Sequence, residues 1–110
     1  MNLNDLTNLR WLEPWGPTPS GLEAELRKEV SPEHPLFGQE AISVGRRGDC
    51  DDVLFFLPEN PSPLAVVHLT WTGKREKNPE WPHTTFYSSL DDWVERCMRP
   101  DHLELGGSSE

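Results

Sequence analysis

Three short apolar runs follow one another along the middle of this chain: "EAISVGRR" at residues 40–47, "DDVLFFLP" at 51–58 and "LAVVHLTW" at 64–71. Each has the length and β-branched or aromatic content of a strand, and the intervening "RRGDCD" and "PENPSP" have the length and turn chemistry of hairpin loops. An antiparallel meander is the simplest topology that satisfies both. Helical periodicity flanks it. In "SGLEAELRKEV", Ser20 and Glu23 have capping-box spacing and Leu22, Leu26 and Val30 recur every four residues. In "SSLDDWVERCM", Ser89 and Asp92 repeat the cap, and Leu90, Trp93, Val94 and Cys97 form one stripe. The expected architecture is α+β: a three- to four-stranded antiparallel meander, the fourth strand short around Thr85 to Tyr87, with helices packed on one face in the order α-β-β-β-(β)-α.

The remaining segments set the domain limits. Residues 1–19 mix Trp11 and Trp15 with Pro14, Pro17 and Pro19, which excludes a long helix and predicts an irregular arm with one helical turn in "LNDLTNLRWL". Residues 20–102 read as a single α+β domain, and residues 103–110 as a flexible tail. At 110 residues the chain is long enough for one core, burying roughly two thirds of the surface of its unfolded form. Five Trp, four Phe and one Tyr exclude a disordered composition.

Charge narrows the partners. A formal net charge of −9, concentrated toward the C-terminus, predicts no nucleic-acid binding, because phosphate contacts require clustered Lys and Arg. No apolar run approaches the roughly 18 residues of a membrane span, and the N-terminus lacks the features of a secretory signal. The expected location is cytoplasmic, with no membrane association and with Cys50 and Cys97 as free thiols. A monomer or weak homodimer is expected.

The block "GRRGDCDDVLFFL" together with "LAVVHLTWTGKREKNPEWPHTTFYSSLDDWVERCM" resembles a small group of bacterial proteins. The group shares a D-C-D-D-V-L-F turn and strand, an A-V-V-H-L-T-W strand, a Pro- and Trp-containing loop and a short final helix. The resemblance spans roughly residues 34–102 and implies one bacterial domain. It carries no known activity.

Side-chain alternation locates the polar residue of greatest interest. On the third run Ala65, Val67, Leu69 and Trp71 point one way, and Leu64, Val66, His68 and Thr70 the other. His68 therefore lies on the mixed face, beside Leu54 and Phe56 or beside Phe55 according to register. That face is too apolar to stand uncovered, so the Trp-rich arm, the Trp81 loop or a second chain should cover part of it.

Other chemistry is weaker in the sequence. Counting from Asp49, a calcium loop would need Gly and Glu where Leu54 and Asn60 stand. Asp49, Asp51 and Asp52 then read as hairpin-loop residues. The histidines and cysteines are scattered, with no local half-site for zinc, so neither a metal nor a cofactor is expected unless three-dimensional folding assembles a site. A metal-dependent nuclease would place an acid and a lysine where the third strand offers His68, Leu69 and Thr70.

The expected function is a non-catalytic module that binds a protein or small ligand over the His68 face. Its candidate residues are His68, Thr70, Trp81, His83, Asp49, Asp51 and Asp52. Two alternatives stand beside it. One is a small enzyme with His68 as general base and an Asp of the 49–52 turn as its partner. The other is an acidic neutraliser of a basic toxin or nuclease.

Overall fold

The computed structural model describes residues 3–18, 21–71, 74–75, 78 and 80–104. One antiparallel sheet runs in the order β1 (Trp15–Pro17), β2 (Ile42–Arg47), β3 (Asp52–Phe56), β4 (Leu64–His68) and β5 (His83–Tyr87). The helices are α1 (Leu3–Thr7), α2 (Glu23–Glu29), α3 (Leu90–Trp93) and α4 (Arg99–Glu104), the last two joined by a π-helical turn at Val94–Met98. The class is α+β and the sheet is the antiparallel meander that the short linkers imply.

The meander has five strands instead of three or four. The Trp- and Pro-rich arm supplies the fifth: Trp15, Gly16 and Pro17 pair with Arg47, Arg46 and Gly45. Pro17 is tolerated because β1 is an edge strand, where a missing N–H costs no ladder bond.

The helices do not share one face, and this corrects the expectation. The run Val53, Leu54, Phe55, Phe56 and Leu57 is apolar in both parities and buried throughout, so each face of the sheet requires its own cover. Leu26 and Val30, on and just after α2, pack with Leu36 and Ala41 over Val53, Phe55, Leu57, Ala65, Val67 and Leu69. On the opposite face Trp93, Cys97 and Met98 pack with Leu6 and Trp15 over Leu54, Phe56, Leu64 and Tyr87. Trp93 sits edge-on to Trp11 and Trp15, with ring centroids 5.9 and 5.2 Å away. The Trp-rich arm thus supplies part of the cover that the apolar face demanded.

A bulge in β2 shifts the parity of its last residues. Ser43 pairs with Phe55 but Gly45 pairs with Leu54, so one extra residue, Val44, stands between them. Gly45 and Arg47 are thereby carried to the face of Leu54, where simple alternation would have put Arg46. Gly45 is needed there, because a Cβ would lie 2.5 Å from the Trp11 ring.

Two carboxylates tie α2 to the sheet. Glu23 accepts from the Ser43 backbone N–H at 2.7 Å and its hydroxyl at 3.1 Å, and also from the Gly21 N–H. Ser20, the other half of the expected capping box, lies outside the described residues. Glu29 is fully buried and accepts from the backbone N–H groups of Thr70 at 2.9 Å and Trp71 at 2.8 Å. Trp71 adopts a left-handed φ of 59° and is exposed, so the β4 alternation that would have turned it inward ends before it. At the C-terminal helix the cap forms as expected: the Asp92 N–H donates to Ser89 Oγ at 3.0 Å. Leu103 and Glu104 still belong to α4, while residues 105–110 lie outside the described residues. Among the described residues, no helix is long and apolar enough to cross a membrane.

Candidate functional site

The register gathers the polar residues at one end of the sheet. Asp52 pairs with His68, and His68 pairs with His83, so one carboxylate and two imidazoles form a row across β3, β4 and β5. The β2 bulge brings Arg47 to the same face. Of the two registers that alternation left open, the sheet adopts the one that sets His68 on the face of Leu54 and Phe56.

Within this row His68 Nδ1 lies 2.7 Å from Asp52 Oδ1. A carboxylate oxygen only accepts, so Nδ1 donates, and in the neutral ring Nε2 then carries the lone pair. The His68 side chain is 45% exposed. It lines a groove of about 220 Å³ together with Arg47, Asp52, His83, Arg96 and Asp101, and Val66, Thr85, Tyr87 and Cys97 complete the lining.

The charged groups are paired among themselves. Arg47 Nε donates to Asp49 at 2.8 Å and Arg47 Nη1 lies 3.3 Å from Asp101. Arg96 Nη2 donates to Asp92 at 2.9 Å while its guanidinium stacks 4.8 Å from the Tyr87 ring. The hydrogen bonds from Arg96, then those from Ser88, hold the Asp92 carboxyl down at about 2. Two guanidiniums thus pair with three carboxylates, Asp49, Asp92 and Asp101, while the fourth, Asp52, is engaged by His68. Burial, reinforced by Asp101, pushes the Cys97 thiol up to about 12, and burial raises Tyr87 too. Both stay protonated near neutrality. The π-helical turn, a distortion often found at functional sites, carries both Arg96 and Cys97 into the groove.

The other expected site residues separate from this cluster. Asp49 engages Arg47 at the hairpin. Asp51 is exposed at the bend, where its carbonyl accepts from Leu69 N–H at 3.3 Å. The backbone of Thr70 is held by Glu29, and Thr70 does not line the groove. Trp81, 43% exposed, stands 6.2 Å from the His83 ring and lines a neighbouring surface depression with His34, Pro35 and Pro82. It is not a lid over the His68 groove. His34 is buried with both nitrogens engaged, Nε2 donating to the Pro82 carbonyl at 2.9 Å and Nδ1 accepting from Leu36 N–H at 3.0 Å. Cys50 lies outside the groove lining, and burial raises its pKa, which disfavours a thiolate.

Sequence reasoning missed Arg47, Tyr87, Arg96 and Asp101. Arg96 had a signal in its i, i+4 spacing from Asp92. Arg47 had none without the bulge, and Asp101 is drawn into the cluster by Trp15 and Arg47, both distant in the chain.

Together these features define an acidic α+β domain with a half-open polar groove at one end of a doubly covered antiparallel sheet. No family model matches the chain, and neither a curated protein nor a solved structure does.

Proposed function

We propose that the chain is a binding module of the bacterial cytoplasm whose working surface is the His68 groove, and that it recognises a cationic group. The observation that carries this reading is the row Asp52, His68 and His83, in which a carboxylate orients one imidazole beside a second on the same face. The net charge of −9 attracts the same class of partner over longer range. A basic protein covered by this acidic surface, as in neutralisation of a toxin or nuclease, falls within that class. The test is a titration of the isotope-labelled chain with a short Lys- and Arg-rich peptide, followed by NMR. Shifts confined to the groove and weakened by His68→Gln support the reading; shifts spread evenly over the acidic surface reject it. His68→Gln should keep the fold within about 1–2 kcal/mol, the range for losing one partly exposed hydrogen bond.

The 2.7 Å hydrogen bond between Asp52 and His68 also favours a second reading, a hydrolase with His68 Nε2 as general base and Asp52 as its orienting partner. Water would be the nucleophile, because the groove's Tyr87 and Cys97 both have raised pKa values. A panel of ester and phosphodiester substrates tests it: turnover abolished by His68→Gln supports this reading, and no turnover above background excludes it for those substrates.

A further inference from the structure

We propose that His68 and His83 form a two-histidine half-site for a divalent transition-metal ion, with Asp52 as the outer-shell carboxylate that orients His68. This rests on the reading of the groove as a binding site and names the class of its ligand. His68 and His83 are register partners on neighbouring strands and line the same groove. Directly opposed residues have Cβ atoms about 4.5–5.5 Å apart, close enough for two imidazoles to converge on one ion at bonds of about 2.0–2.1 Å.

Orientation is the second element. A metal-ligating imidazole characteristically donates its other N–H to a carboxylate, which fixes the tautomer and raises ligand basicity. The Asp52 contact to His68 Nδ1 at 2.7 Å supplies that arrangement and leaves Nε2 for the ion. His83 is exposed, with the Trp81 ring 6.2 Å away and tilted 54° to it on the side of the neighbouring depression. The local charge is compatible, since Arg47 and Arg96 are already paired with Asp49, Asp101 and Asp92.

The site is open. Among the described residues, no group of three or more His, Cys, Asp or Glu side chains is placed to hold a metal. Cys97 Sγ is turned to Asp101 at 3.6 Å, and Asp101 is also engaged by Trp15 and Arg47, so both are committed to each other and to the fold. Water or a donor from a bound partner completes the coordination, the pattern of a site that presents a metal instead of burying it. Imidazole ligands select zinc, nickel or copper over magnesium or calcium.

The experiment is calorimetric titration of the full chain with zinc and with nickel, together with NMR of the histidine ring resonances. Binding of one ion per chain, with shifts at His68 and His83, is expected. His68→Ala and His83→Ala should each weaken it at least tenfold, and Asp52→Ala by about 10–100-fold. His102→Ala should leave it unchanged, since that ring is engaged with the Glu13 carbonyl and does not line the groove. If a variant fails to fold, ring shifts in the unaltered protein decide. Absence of saturable binding, or retention of full affinity in both histidine variants, overturns the proposal. A basic peptide that still maps to the groove when no metal binds leaves the groove reading standing and removes only the metal; failure of both probes removes the two together.

Discussion

Trp15 donates its indole N–H to Asp101 at 2.8 Å, joining the edge strand of the arm to the last helix across 86 positions of sequence. The same carboxylate oxygen lies 3.3 Å from Arg47 and accepts from the Cys97 thiol at 3.6 Å. Three segments distant in the chain are thus held by one side chain. Asp101→Ala should leave the buried indole N–H unsatisfied and cost about 1–3 kcal/mol. Chemical denaturation measures it, and a loss near zero would mean that the indole finds another acceptor.

Glu29 should be as important to the opposite face. Its removal in Glu29→Ala leaves the N–H groups of Thr70 and Trp71 without their carboxylate, at about 1–3 kcal/mol for each that stays buried. Glu29→Gln retains one acceptor and should cost less. Hydrogen exchange at Thr70 and Trp71 distinguishes local release from global unfolding: faster exchange there in Glu29→Ala, at unchanged global stability, would show that the clamp is only local.

Gly45→Ala tests the bulge. The new methyl would meet two atoms of the Trp11 ring at 2.5 and 2.7 Å, so the ring or the strand must move. A cost of about 1–3 kcal/mol is expected, with altered Trp fluorescence. Unchanged fluorescence and stability would mean that Trp11 does not pack against the bulge.

The cap at the last helix should show in the acid limb of stability. The Asp92 carboxyl is held at about 2, below its ordinary 3.8, chiefly by hydrogen bonds from Arg96 and then Ser88. A carboxylate with a depressed folded pKa adds stability above its unfolded pKa, and that contribution fades as pH falls toward about 2. Asp92→Asn should therefore lower stability near pH 7 and flatten its decline between about pH 4 and 2. Parallel pH profiles of the two proteins would contradict this.

Much of the architecture was legible because it depends on local spacing. Loop lengths implied the antiparallel meander, alternation placed His68 on the face opposite Val67 and Leu69, and Ser89 and Asp92 marked the final helix. Those signals depend on a few neighbouring residues, and the tertiary structure does not alter them. The fifth strand was illegible because Trp15–Pro17 is too short and too rich in breakers to read as a strand; pairing with Gly45, Arg46 and Arg47 of β2 creates it. The apolar run at residues 53–57 already asked for cover on both faces of β3, but which helix covers which face was decided only by assembly. Register decided the site: alternation could say that His68 faced the mixed side, but which residues stood opposite it depended on non-local pairing. The β2 bulge then exchanged Arg46 for Arg47, since one inserted residue reverses the parity of every residue after it.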